Sequence, residues 1–378
     1  MKKIYWRPQG MPLLAIVLIA LFSVAGLAAV ERFQGISRKP HYREKINAAK
    51  LAAEAMELLR QERLRRGLPI DPETDPAGSG LIGPAVSLVT TDAGDLEAKQ
   101  TSINPNFAAV FVDLLAAAKV KKGDAVAVSL SGSFPALNIC AGAAIVALQL
   151  KPTIISSVGS SQWGANDPLF LWVDMEHFLS AQGVFPFRSA AASMGGRRDQ
   201  AREMSKRGRA MIMEAIGRNG LALIESSRIR ENIDERMGIY FARETPKVYI
   251  NIGGGVVSVG TRPFKILMKP GILPLSLPAG KDGPDSVIRR FLKEGIPVIH
   301  IENIKQLAEE YGLPLAPAAV PRAGEGSVYY QKRYNFWLAG GVLLGIIFGL
   351  YIFARVDWGF RMLRATKKPE VGPPEPMV

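Results

Sequence analysis

Serine and glycine cluster at three places where one apolar run gives way to the next. The first is Ser131-Gly132-Ser133, between apolar residues 125–130 and the apolar stretch 135–148. The second, SSVGSSQWGANDP at residues 156–168, carries Ser160, Ser161, Asn166 and Asp167. The third is Gly253-Gly254-Gly255, followed by Ser258. Glycine admits a close backbone approach, and successive backbone N–H groups in such corners form a concavity for an anion. Together the three corners predict a site for a carboxylate or phosphate built from Ser131, Gly132, Ser133, Ser160, Ser161, Asn166, Asp167, Gly253, Gly254, Gly255 and Ser258. An ordinary tight turn between strand and helix has the same composition. The expectation therefore rests on all three lying on one rim.

Catalytic and metal chemistry has less support. The histidines are His41, His177 and His300. Ser131 or Ser133 as nucleophile with His300 as base is the arrangement the residues allow, but Gly-x-Ser-x-Gly is absent. Asp95, Glu97 and Asp167 are carboxylates that suit loop hydrogen bonds better than acid–base work. His300 and Glu302 lie two apart with no third ligand at a marked spacing, so no metal site is expected. The glycine triplet lacks the dinucleotide spacing and no Gly-Lys-Ser/Thr occurs, so no cofactor is expected either. The single cysteine, Cys140, excludes an internal disulfide.

The elements that must position these corners follow from periodicity. Residues 85–91, 125–130, 153–157, 222–225, 248–252 and 298–301 read as strands. Between them, 105–119 (with Asn104 as cap), 135–148, 169–182, 206–219, 228–243, 284–294 and 304–311 read as helices. A strand, helix and strand in close succession is a βαβ unit, which requires parallel pairing. The predicted fold class is α/β, with a mostly parallel, doubly wound (Rossmann-like) sheet over residues 84–312. In such sheets ligands bind beyond the carboxyl ends of strands. Residues 41–66, rich in Ala, Leu, Glu and Arg, predict a juxtamembrane helix that docks onto the domain. A Pro- and Gly-rich loop follows it to residue 83, and residues 313–335 read as a linker.

Both ends of the chain are apolar. Residues 11–30 and 336–354 carry no charge over 20 and 19 positions. At about 1.5 Å per residue each reaches the roughly 30 Å of a hydrocarbon core, so two transmembrane helices are expected to flank the domain. A basic start (Lys2, Lys3, Arg7) also suits a cleavable signal peptide, but the apolar run exceeds the usual core of such a peptide and favours an uncleaved anchor. Basic residues outside and inside the two runs balance, eight against eight, and do not orient the chain. The signal-like start places residues 1–10 and the basic, Pro-rich tail 355–378 in the cytoplasm, with the domain outside. Gly341, Gly345 and Gly349, four apart, predict a helix face for close packing against a partner subunit or the first helix. The chain carries 47 Lys and Arg against 34 Asp and Glu, net +13. A basic domain beside a membrane suits anionic lipid or an acidic polymer. The basic residues are scattered without a recognised binding motif, so no nucleic acid is expected.

Several stretches in combination resemble the poly-gamma-glutamate system proteins. They are Gly94-Asp95-Leu96-Glu97-Ala98-Lys99 with Asn104-Pro105-Asn106-Phe107, LSGSFPALN at 130–138, residues 156–168, SAAASMGG at 189–196, and residues 251–255. Where that family shows a longer glycine run after SAAAS, this chain has Gly195-Gly196-Arg197-Arg198. The resemblance implies association with poly-gamma-glutamate synthesis or export at the cell envelope, in a bacterial plasma membrane, and establishes no reaction; the leading expectation is an accessory, non-catalytic subunit. Its implied partners are the polymer, or another acidic polymer, and the integral membrane subunits of the synthase or exporter. A gamma-glutamyl hydrolase or transferase using Ser131 or Ser133, and a membrane-bound carboxylate sensor, are the alternatives.

Overall fold

The computed structural model describes residues 13–226, 228–261, 265–276 and 285–355. Two compact units emerge: Arg38–Tyr330, and Met1–Ser37 together with Gln331–Val378. The expected cytoplasmic segment 1–10, and the expected tail 355–378 beyond Arg355, lie outside the described residues.

Elements run in the order α1 (Leu13–Arg32), β1 (Gly35–Arg38), α2 (Tyr42–Arg65), α3 (Leu96–Ser102) and α4 (Phe107–Ala117). Then come β2 (Ala125–Ser131), α5 (Pro135–Ala147), β3 (Lys151–Ser157), α6 (Trp172–Ala181), β4 (Ala191–Ser193), α7 (Lys206–Arg218) and β5 (Ala222–Leu223). After α8 (Ile229–Phe241) follow β6 (Val248–Ile252), α9 (Val256–Val259), β7 (Gly271–Leu273), a helix at Val287–Lys293, β8 (Val298–Ile301) and a helix at Ile304–Glu310. A last strand, β9 (Tyr330–Arg333), precedes the helix Phe336–Arg355.

Seven strands form one sheet in the order β5-β4-β3-β2-β6-β8-β7, all parallel except β7, which runs antiparallel to β8. The α/β, mostly parallel expectation therefore holds. Side chains alternate across the sheet. Val126, Val128 and Leu130 of β2 point to a face covered by α2, α4, α5 and the helix Ile304–Glu310. Ala127 points to the other face, where α8 and the helix Val287–Lys293 pack. Burial on both sides explains why these strands read as continuous apolar runs.

The strand order has a consequence for function. From the central β2 the chain moves outward through β3, β4 and β5, then returns to lay β6 on the opposite side of β2. The segment after β2 enters α5 on one face, and the segment after β6 enters α9 on the other. Adjacent strands whose exits diverge leave a crevice at their carboxyl ends.

Several elements differ from the sequence reading. Residues 85–91 form no strand beyond a bridge from Thr90 to Ser160. Hydroxyls turn the segment instead: Ser87 N–H donates to Thr90 Oγ1 at 2.8 Å and Ser87 Oγ–H to the Asn166 carbonyl at 2.6 Å. α4 begins at Phe107, and Asn104 Oδ1 accepts from Asn106 N–H at 3.0 Å, securing the turn ahead of the helix. α2, by contrast, docks onto the domain as its apolar spacing predicts: Ala48, Ala49, Ala52, Ala55 and Leu59 are buried against α4 and α5. Its Lys45, also buried, pairs with Asp113 and donates to the Val328 carbonyl at 3.2 Å. The stretch read as a linker is strapped down over much of its length. Ala316 N–H donates to Thr101 Oγ1 at 3.0 Å and the Tyr329 hydroxyl to Asn106 Oδ1 at 2.6 Å.

In the other unit α1 is long and apolar enough to cross a membrane, and its side chains are largely exposed. The helix Phe336–Arg355 is apolar over Phe336–Ile352, a shorter span. The two helices touch. Gly26 faces Val342, Gly349 faces Ile19, and Gly345 leaves room for the Phe22 ring, which a Cβ there would meet at 2.9 Å. Gly341 faces open space among the described residues.

Candidate functional site

Every parallel strand from β4 to β8 across the sheet centre ends in a residue or corner that reaches one cleft of about 520 Å3. β2 delivers Ser131 and Ser133, β3 delivers Ser157 and Ser161, and β6 delivers Gly253, Gly254, Gly255 and Ser258. The corner after β4 adds Gly195, Gly196, Arg197 and Asp199, and the end of β8 adds Glu302 and Lys305. Residues 91–99 close the remaining side with Asp95 and Lys99.

Gly253 explains why the third corner needs glycine. Its φ is +100°, and a Cβ there would stand 3.0 Å from Ser131 Cβ. A side chain would meet both a disfavoured backbone conformation and the neighbouring strand's exit. The amides of Gly254 and Gly255 find no acceptor among the described residues.

Not all the expected residues reach the cleft. Gly132 lies beneath it, where a Cβ would strike the Val158 carbonyl. Ser160 is buried and its Oγ–H donates to the Ser161 carbonyl at 2.9 Å. Asn166 is buried and spends its amide on the Pro84 carbonyl and Thr90 Oγ1, at 2.8 and 2.9 Å. Asp167 Oδ1 accepts from Leu169 N–H at 3.1 Å, a turn within its own loop. These four hold the corners that Ser131, Ser133, Ser161, the glycine triplet and Ser258 present.

His300 does not serve Ser131 or Ser133. It is buried in β8, with Nδ1 3.0 Å from Asn251 Nδ2 and Nε2 3.3 Å from Glu302 Oε2. Burial alone would raise Glu302, but His300 and Lys265 outweigh it and hold the carboxyl below its ordinary value. No cluster of three metal-ligating side chains occurs among the described residues.

The side chain the sequence reading passed over is Lys99. α3 begins at Asp95, whose carboxylate accepts from Ala98 N–H at 3.2 Å, and this turn aims Lys99 inward. Only 2% of Lys99 is exposed. Its Nζ contacts the Ser133 carbonyl, lies 2.9 Å from Ser161 Oγ and sits 4.0 Å above the Phe134 ring. Burial pushes the ammonium down to about 7, with Asp95 pulling weakly the other way. Ser133 fixes both partners, because its Oγ also accepts the Ser161 N–H at 3.0 Å. Lys99 stood within the Gly94–Lys99 stretch of the sequence, but nothing in the spacing marked it as buried.

The cleft carries charges of both signs. Lys305 bridges Asp95 and Glu97, both at 2.9 Å, and Lys265 pairs with Glu302. Asp199 is buried and pairs with buried Arg236 at 2.7 Å, while also accepting from Ser193 Oγ and Asn232. Arg197, exposed on the rim, has no ion pair among the described residues.

No protein-family profile, curated protein or solved structure matches this chain.

Proposed function

We propose that this chain is a two-pass, membrane-anchored accessory component of a poly-gamma-glutamate synthesis or export system. Its α/β domain takes an acidic segment of the polymer into the cleft on the extracytoplasmic side. The observation that carries the reading is the convergence of the Ser131–Ser133, Ser161 and Gly253–Gly255 corners on one crevice between β2 and β6. Each gamma-linked glutamate keeps a free α-carboxylate. Bare glycine amides, small hydroxyls and the unpaired Arg197 suit such groups. The mixed charge of the cleft favours a short stretch of chain held in a defined register. A uniformly basic channel would instead let a polyanion slide. The anchoring half of the reading draws on α1, which is long and apolar enough to span, and on its contact with the helix Phe336–Arg355.

Full-length protein in detergent micelles, titrated with gamma-linked oligoglutamate of defined length, tests this. Binding is expected to saturate and to weaken as salt rises, because Arg197 is solvent-exposed and its attraction is screened over roughly 10 Å at 0.1 M. Absence of saturable binding, or equal binding of an uncharged oligomer, overturns the reading.

A further inference from the structure

We propose that Ser161 and Lys99 act as nucleophile and general base that cleave or transfer an acyl group at an amide of the chain bound in the cleft. This rests on the reading of the cleft as a glutamyl site and gives that site a reaction. Three observations place the pair together. Ser161 lines the cleft, and its Oγ lies 2.9 Å from Lys99 Nζ. Ser133 holds the Ser161 backbone through its hydroxyl and the Lys99 amine through its carbonyl, so the two side chains share one support. The lysine is enclosed against Phe134 with no carboxylate hydrogen-bonded to its amine among the described residues. Burial without a paired carboxylate favours the neutral amine, the form that accepts a proton. Serine with a lysine base is a known variant of nucleophile activation.

Ser161 Oγ attacks the γ-carbonyl carbon of a glutamyl amide and passes its proton to Lys99 Nζ. The C–N bond then breaks, and the departing amine takes that proton, leaving an ester on Ser161. Water attacks the ester carbonyl, giving one proton back through Lys99 to Ser161 Oγ, and the γ-carboxyl is released. An amine in place of water gives transfer to a new acceptor.

Full-length protein in micelles is treated with a fluorophosphonate probe across pH 5–9, and the labelled peptide is read by mass spectrometry. The same preparations are incubated with gamma-linked oligoglutamate, scoring chain length and binding separately. Ser161 is expected to label with a rate that climbs about tenfold per pH unit below about 7 and levels above it. Lys99→Met is expected to slow labelling by about 100-fold or more. Lys99→Arg keeps the positive charge and cannot accept the proton, so it should be equally slow; thermal melting identifies any variant that fails to fold. Ser161→Ala should lose labelling and chain shortening. No labelling at Ser161, a flat pH profile, or wild-type rates in both folded Lys99 variants overturns the dyad. If oligoglutamate binds in that case, the binding reading survives alone. Labelling of Ser161 without oligoglutamate binding overturns the glutamyl substrate, and the proposal as stated falls with it.

Discussion

Burial sets the protonation of two side chains that their sequence neighbours would leave charged. Lys99 is one; Glu176, in α6, is the other. Glu176 is buried and accepts from the Ser189 amide at 3.1 Å and its hydroxyl at 2.9 Å. Desolvation pushes its carboxyl up to about 7, against these hydrogen bonds and Arg188. The folded protein therefore keeps the proton between the ordinary carboxylate value of 4.5 and about 7, where the unfolded chain has lost it. Stability present below pH 4.5 should decline as pH rises through that window, by an amount on the order of 3 kcal/mol. Denaturant midpoints should fall between pH 5 and pH 7 in the wild type, and Glu176→Gln should remove that fall, leaving the rise above about pH 7 that the depressed Lys99 amine contributes. At the cleft, Gly253→Ala puts a methyl at φ +100° and against Ser131, so it should cost more than about 1 kcal/mol and weaken oligoglutamate binding. Arg197→Gln removes the unpaired rim cation, and a loss of about threefold to fivefold in affinity is expected from an exposed interaction worth up to ~1 kcal/mol.

Among elements, the corner after β4 shows what the sequence could not display. Arg198, Asp199 and Ala201 all have positive φ, at 57°, 62° and 45°. Such backbone costs about 1–3 kcal/mol per residue and persists only when surroundings over-determine it. Here the buried Asp199–Arg236 pair, with Ser193 and Asn232 closing the remaining hydrogen bonds, supplies that constraint from β4 and α8. Asp199→Ala leaves the Arg236 guanidinium buried and unpaired. Chemical denaturation should show a loss of about 3–5 kcal/mol, and the corner should relax. Fully buried apolar strands such as β2, β6 and β8 were legible, because burial on both faces writes itself as an unbroken apolar run. β4 and β7 were not: three residues each carry too little periodicity to register. The opposite error befell residues 85–91, whose pattern read as a strand while the Ser87 and Thr90 hydroxyls bent it into a turn. The cleft's serines and glycines were legible from composition. Lys99, Asp199 and Arg236 were not, since each becomes a site residue only when a distant element buries it.

At the scale of the whole chain, α1 and the helix Phe336–Arg355 lie against each other along a face of small residues. Without a hydrophobic driving force between helices in lipid, close backbone approach at small residues is what favours pairing. The glycine stripe was readable as spacing four apart, but its division was not: Gly345 and Gly349 turn toward Phe22 and Ile19, and Gly341 turns away. That division makes a crosslinking experiment decisive. A Cβ at position 349 would lie 3.8 Å from Ile19 Cγ1, a separation that brings two cysteine side chains within reach of a disulfide. Cys140 is the chain's single cysteine and is buried, so it contributes little background. Full-length Ile19→Cys/Gly349→Cys in native membranes should form an intramolecular bridge on mild oxidation, undiminished when expression is lowered. Ile19→Cys/Gly341→Cys should not. Bridging in both, or in neither, would mean that the helices do not meet along this face. The close approach of Gly345 to Phe22 would then lose its role in holding the two ends of the chain together.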